Sequence, residues 1–176
     1  MPEAADSKKS IHELNSDLFA PEEDDRYTNP VEARKKAMDY LARREHSQRE
    51  LVQKMTAKGF DNAVAQAAVE KLAAEGLQDD HRFVEILVQS RVNQGKGPVK
   101  IQADLAQRGL QSGLVDIVLE DSDVDWYELA REVRLKKFGS IEPESFKEKA
   151  RQMRFLQTRG FEQAHIQAAV AADEFD

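Results

Sequence analysis

The sequence predicts an all-α protein of three tandem three-helix repeats, about nine helices in an elongated, curved array. Three observations carry this. First, a basic residue, a Gly and a large apolar residue follow one another three times, as Lys58-Gly59-Phe60, Arg108-Gly109-Leu110 and Arg159-Gly160-Phe161, the glycines standing 50 and then 51 residues apart. Second, apolar residues keep phase with them: Met55, Leu105 and Leu156 stand four before each Gly, with Val64 and Val69, Leu114 and Leu119, Ile166 and Val170 after it. Third, no run alternates apolar and polar residues as a strand would. Each signature reads as a corner. A helix ends on a cation that suits the negative end of its dipole. The Gly then takes the left-handed cap, and the apolar residue folds back to pin the next helix. Gly59, Phe60, Gly109, Leu110, Gly160 and Phe161 are therefore expected to be structural.

Taken in order, residues 1–29 form an acidic tail expected to be disordered. Within it, Ser10 to Phe19 carries a capping box (Ser10, Glu13) and apolar Ile11, Leu14 and Leu18, a short helix that would be marginal alone. The first repeat, 30–76, opens with a helix over Val31 to Arg44 bearing Ala33, Ala37, Met38 and Leu41. Ser47 and Glu50 form a second capping box that starts a helix running through Leu51 and Met55 to Gly59. A third helix spans Asn62 to Ala74 and closes at Gly76. The second repeat, 77–121, is capped by Asp79 or Asp80 and has its stripe at Phe83, Ile86 and Leu87. Pro98 suits a first helical position after the Asn93–Gly97 turn. Ile101 and Leu105 lead to Gly109, and Leu114, Ile117 and Val118 follow. The third repeat, 122–176, has a clean stripe at Trp126, Leu129, Ala130 and Val133, ends that helix at Gly139, and starts the next at Ser145. No unit holds enough large apolar residues to stand alone, so neighbours are expected to stack.

Composition bounds the function. The formal charge is −7, from 26 basic and 33 acidic residues, but residues 1–30 alone hold eight acids against Lys8, Lys9 and Arg26. The body is near neutral, so an acidic total does not exclude a polyanionic partner; a basic patch acts within a Debye length of about 8–10 Å. The absence of cysteine removes disulfides and thiolate zinc sites. No apolar run approaches the roughly 20 residues of a membrane span. A cytoplasmic monomer, with no membrane association, is expected.

Catalytic signals are absent. His12, His46, His81 and His165 are scattered one per segment without metal-ligand spacing, so capping or surface roles are expected and no metal or other cofactor is assigned. Gly95-Lys96-Gly97 lacks the spacing of a phosphate loop and reads as a turn, although Lys96 has the chemistry to meet a phosphate. The cations are the informative set. Arg43, Arg44 and Arg49 flank the first corner; Lys96 and Lys100 flank the central turn; and Arg131, Arg134, Lys136, Lys137, Lys147, Lys149, Arg151, Arg154 and Arg159 crowd the third repeat. Solvated helix faces explain single cations, with pairs such as Glu128–Arg131 worth only about 0.2–0.5 kcal/mol. The cluster as a whole favours a polyanion or an acidic protein.

Three separated stretches resemble one family. Tyr40-Leu41-Ala42-Arg43-Arg44-Glu45-His46-Ser47-Gln48-Arg49-Glu50-Leu51 is similar to the signature of the RecX family of bacterial recombination regulators. So is Gly76-Leu77-Gln78-Asp79-Asp80-His81-Arg82-Phe83, with the Gly-Lys-Gly-Pro turn at 95–98 downstream. Phe155-Leu156-Gln157-Thr158-Arg159-Gly160-Phe161 matches the family's C-terminal Leu-x-x-Arg-Gly-Phe element. The resemblance spans about residues 32–172 and leaves the acidic tail outside. It implies a non-enzymatic, mainly negative modulator of the RecA recombinase. Such a protein binds the groove of the RecA–single-stranded DNA filament and restrains filament growth, ATP hydrolysis, strand exchange and SOS co-protease activity. Some members also bind DNA directly. Under this resemblance the cations named above would touch acidic RecA side chains or DNA phosphates. A stand-alone nucleic-acid-binding module and a generic helical adaptor are the alternatives.

Overall fold

In a computed structural model, residues 25–141 and 143–171 are described; the expected Ser10–Phe19 helix lies outside them. Helix starts follow local chemistry. An extended N-cap residue whose side-chain oxygen accepts from an orphan N–H two or three positions on begins six of the helices: Asn29, Ser47, Asp61, Asp79, Asp125 and Ser145. The helices are α1 (Pro30–Leu41), α2 (Gln48–Ala57), α3 (Asn62–Ala74), α4 (Asp80–Asn93), α5 (Pro98–Gln107), α6 (Ser112–Asp121), α7 (Trp126–Phe138), α8 (Phe146–Thr158) and α9 (Gln163–Val170), with a single 3₁₀ turn at Asp25–Tyr27 before them. No strand occurs among the described residues.

The three signatures are one piece of geometry repeated. Gly59, Gly109 and Gly160 have φ of 104°, 75° and 86°, the left-handed region that a Cβ strains. The next residue's N–H reaches back over the turn: Phe60 to the Met55 carbonyl at 3.2 Å, Leu110 to Leu105 at 3.4 Å, Phe161 to Leu156 at 3.2 Å. Each glycine donates to the carbonyl one residue further on, Thr56, Ala106 and Gln157. This paired closure is the Schellman motif, and its hydrophobic contact joins the two apolar positions of the sequence pattern. All six of those residues are buried.

Three separate apolar clusters result. Unit 1 buries Leu51, Met55, Val69 and Leu72; unit 2 buries Phe83, Val84, Ile101 and Leu105; unit 3 buries Ala130, Leu156, Phe161 and Ile166. In each unit the third helix packs on the other two: α3 on α1 and α2, α6 on α4 and α5, α9 on α7 and α8. Fully burying one such aliphatic side chain stabilises by about 1.5–3 kcal/mol.

Several details differ from the sequence expectation. Helix α1 stops at Leu41, where the backbone turns with the Arg43 and Arg44 N–H groups donating to the Tyr40 carbonyl, and Arg44 then pairs with Glu50 of α2. Ile86 and Ile117, expected on core stripes, are 57% and 52% exposed. Val84 and Val115 are buried in their place, beside the expected Phe83, Val88 and Val118, and each isoleucine lies on the side of its helix opposite that valine. Trp126, at the head of the α7 stripe, packs against the unit 2 cluster rather than its own. It ties two units together.

Candidate functional site

The units meet at two joints of related design. At the first, the side chains that open unit 2 hold the N-terminus of α2. Asp80 Oδ1 accepts from the Gln48 N–H at 2.9 Å and from Gln78 Nε2 at 2.8 Å, and that same Nε2 donates to the His46 carbonyl at 3.0 Å. Arg82 Nε donates to Glu45 Oε1 at 3.0 Å, and the Arg49 side chain lies against Gly109, where a Cβ would collide with it. At the second joint the partner is backbone. The N–H of Gly97 donates to the Arg159 carbonyl at 2.8 Å, and that of Val99 to the Gly160 carbonyl at 3.0 Å. Carbonyls left open at the end of α8 thus satisfy N–H groups left open at the start of α5, with the helix dipoles head to tail. This approach needs glycine on both sides. A Cβ at Gly97 would meet the Gly160 carbonyl, and one at Gly160 would meet the Lys100 backbone.

Each corner glycine of units 2 and 3 therefore docks beside the first turn of the preceding unit's middle helix, Gly109 on Arg49 and Gly160 on Lys100. The glycine period of the sequence thus marks the joints between units as well as the intra-unit corners.

Buried polar chemistry concentrates at the first joint. His46, expected at the surface or in a cap, is buried and meets Tyr40 edge-on with ring centroids 5.9 Å apart. Its Nδ1 lies 3.1 Å from Glu50 Oε2, off the axis of a good hydrogen bond. Burial pulls the His46 pKa below its ordinary value; Glu50 pulls the other way and Arg44 reinforces the burial. Burial alone would raise the Glu50 carboxyl, but hydrogen bonds from Arg44, the nearby His46 ring and the Arg44 charge hold it below the usual range. His165 does cap its helix, its Nδ1 accepting from the Glu162 N–H at 3.3 Å.

The cations fall into three groups. Lys96 and Lys100 share Asp104 with Arg91: Lys96 Nζ and Arg91 Nε stand 3.0 Å, and Lys100 Nζ 3.7 Å, from its oxygens. Burial would raise the Asp104 pKa, yet Lys96 and then Lys100 and Arg91 bring it below its ordinary value. Arg44 is spent on Glu50, Arg131 pairs with Glu128 at 3.2 Å, and Arg49 and Arg159 sit at the joints, the latter donating to the Gln94 carbonyl. Arg151 lies over the Phe138 ring. Arg43, Lys136, Lys137, Lys147, Lys149 and Arg154 are exposed, with no ion pair to any described residue. Arg134 has to be removed from the candidate set. It is 7% exposed, its Nε donates to Gln152 at 2.8 Å and its Nη2 to the Ile141 carbonyl, so its guanidinium braces α7 against α8.

Two clefts of opposite charge adjoin across α7. One, of about 630 Å³, has an apolar floor of Val92, Leu129, Val133 and Phe155 and a rim of Lys136, Lys137 and Arg159. The other, of about 580 Å³, is ringed by Glu85, Asp121, Asp123, Asp125 and Glu128; Glu132 borders both. Neither was legible as a site, since their residues come from different units and meet only on stacking. Lys96 and Lys100 at four-residue steps toward Asp104 were a local signal for that cluster; Arg91 was not. No metal-holding group of side chains exists among the described residues, and no helix there is long and apolar enough to cross a membrane.

Comparison with known proteins matches the same three units. Family models described as the first, second and third three-helix domains of RecX cover residues 33–72, 79–119 and 123–170. A "Regulatory protein RecX" from Halorhodospira halophila is 48% identical over 140 residues, 80% of this chain and 87% of that protein. One from Ectopseudomonas mendocina is 41% identical over 133 residues, 76% of this chain and 89% of its own length. The crystal structure of RecX from Lactobacillus salivarius superposes with a TM-score of 0.69 at 18% identity, covering 80% of this chain and 94% of that one, which supports the fold. Three tandem domains in order, in the units that the joints and clusters define, place this chain in the RecX family of regulatory proteins.

Proposed function

We propose that this protein is a non-catalytic, mainly negative modulator of the RecA recombinase. It lodges along the groove of the RecA–single-stranded DNA filament and restrains filament growth, ATP hydrolysis, strand exchange and SOS co-protease activity. The observation that carries the reading is the ordered match of all three family domains. The joints support it physically, since hydrogen bonds tie each unit to the next. Arg43, Lys136, Lys137, Lys147, Lys149 and Arg154 make the contacts, with Lys96 and Lys100 at the centre. Their partners are acidic RecA side chains and DNA phosphates.

The test is ATP hydrolysis by RecA on single-stranded DNA, with this protein added well below the RecA concentration and filament binding followed in parallel. Strong inhibition is expected, because competition for DNA alone would need far more protein. Unchanged hydrolysis at equimolar protein, with no filament binding, would defeat the proposal. The cationic cleft favours a second reading, a module that binds nucleic acid unaided. Binding to an oligonucleotide without RecA would then weaken steeply with salt, the logarithmic slope being about −0.7 per phosphate neutralised on a single strand.

A further inference from the structure

We infer that the acidic cleft bordered by α4, α6 and α7 seats the start of α8 from a second copy of this chain. Two surface features meet in this contact, and the function proposed above uses neither the cleft nor Phe146. Phe146 and Ile141, 89% and 76% exposed, are the most exposed large apolar side chains among the described residues. The backbone that carries them is pinned. The Ile141 carbonyl accepts from the buried Arg134 guanidinium, and the Ser145 hydroxyl accepts from the Glu148 N–H at 3.2 Å. Helix α8 carries Lys147, Lys149, Arg151 and Arg154 against the single acid Glu148, whose carboxylate is turned back onto the Glu144 N–H. Phe146 is thus an apolar projection at the head of a cationic helix.

The cleft has the opposite character. Val88, Val118 and Leu129 lie in its floor, and His81 is the one base in its lining. Of its carboxylates, Asp121, Asp123 and Glu132 enter no ion pair with any described residue. Carboxylates alone would attract any cation. The apolar floor selects a cation that brings an apolar group with it. Lys136, Lys137 and Arg154 are as unengaged as Lys147 and Lys149, but the rings beside them, Phe138 and Phe155, pack edge-on against each other at 5.3 Å. The ring nearest Arg43 in sequence, Tyr40, lies under Lys36 and Lys54. Phe146 is free to enter a cleft.

It cannot enter its own. Phe155 and Arg159, at the far end of α8, border the cationic cleft, which shares Val92, Leu129 and Glu132 with the acidic one. Phe146 opens α8, a rigid helix of 13 residues and about 20 Å, and stands in solvent. The chain expected from its sequence to be a monomer thus carries both halves of a contact between copies. If Lys147 and Lys149 face the filament, as proposed above, this contact competes with filament binding and holds free protein in reserve; that consequence alone rests on the proposed function.

Sedimentation equilibrium of the full-length chain at low salt tests the contact. A contact of this size falls short of the roughly 800 Å² per partner of a stable interface, so concentrations up to about 0.5 mM are needed. The weight-average mass is expected to rise with concentration. It should return to that of one chain in about 0.5 M salt, in Phe146→Ala, in Lys147→Glu/Lys149→Glu and in Asp121→Lys/Asp123→Lys. The charge reversals place acids in the first turn of α8 and a base at the last residue of α6, which the helix dipoles favour; circular dichroism verifies the fold. Mixing the two charge-reversed variants should restore the association that each has lost, because acid then meets base at both contacts. A wild-type mass that stays at one chain overturns the inference and leaves the cleft to a basic partner of another kind. So does association that survives Phe146→Ala, or a mixture no heavier than its parts. No recombinase enters the measurement, so its failure is distinct from failure of the proposed function.

Discussion

At the scale of single residues, the corner glycines separate two costs that a substitution usually mixes. Gly76 and Gly160 both have positive φ, but a Cβ at Gly76 meets nothing within 4 Å, whereas one at Gly160 runs into the Lys100 backbone. Gly76→Ala is expected to lose about 1 kcal/mol of stability to backbone strain alone. Gly160→Ala should lose clearly more, because a backbone cannot step aside as a flexible side chain can. Urea unfolding of the two variants measures the difference, and equal losses would show that the joint is not tight. Titration offers a second residue-scale outcome. His46 has a folded pKa below its unfolded one, so as pH falls below about 6.5 the unfolded chain takes up a proton that the native one refuses, and stability drops. Glu50 is also lowered, so its contribution is present above about pH 4.5 and is lost as pH falls through its folded value. Both act in the same direction, toward acid lability. His46→Gln should flatten the fall in stability between pH 7 and 5, and a slope unchanged by that substitution would assign the lability elsewhere.

At the scale of elements, Gln78 shows what holds units 1 and 2 together. It is 2% exposed, and its Nε2 serves both the His46 carbonyl and Asp80. Gln78→Ala leaves a buried carbonyl without its donor, a loss of about 1–3 kcal/mol, which denaturant melts of the full chain report. A wild-type midpoint would mean that water or rearrangement replaces the bond. Gln78 stood in the sequence only as one position of the Gly76–Phe83 stretch, with nothing to mark it as a bridge between units, and the reason is general. Helix starts and corners are set by residues three to five apart, so Ser47, Asp79, Pro98 and the three glycines announced their elements with few boundary errors. The face a helix buries depends on its neighbours. Ile86 and Ile117 fit a helical stripe as well as Val84 and Val115 do, and only the packing of α4 on α6 decides between them. Arg134 misled for the same reason. Its flanking Arg131 and Lys136 are exposed, and no local pattern distinguishes a cation that braces α7 against α8 from one that faces solvent. The cations of the candidate surface were legible as a population. Their sorting into paired, joint-forming and unengaged groups was not.

At the scale of the whole molecule, the question is whether three units act as one body, and Gly97 isolates it. Its φ of −82° suits any residue, so Gly97→Ala introduces no backbone strain. The added Cβ would nonetheless meet the Gly160 carbonyl, in the place where unit 2 donates two backbone hydrogen bonds to carbonyls at the end of α8. Units 2 and 3 keep their own clusters and their own corners, so the substitution should loosen the joint and leave each unit folded. In a stack whose stability sums unit and interface terms, a weakened interface uncouples the transitions. The expected signature is a lower apparent m-value, or two resolved steps, with the helical signal in water unchanged. If filament binding needs cations of several units in fixed register, the same variant should inhibit RecA ATP hydrolysis roughly tenfold less well, equivalent to about 1.4 kcal/mol of lost binding. Normal potency together with split unfolding would show that the units bind independently, and that the joint serves stability alone. Normal potency with a single unfolding step would mean that the joint absorbs the Cβ, which would overturn the account of Gly97 as a tight contact between units 2 and 3.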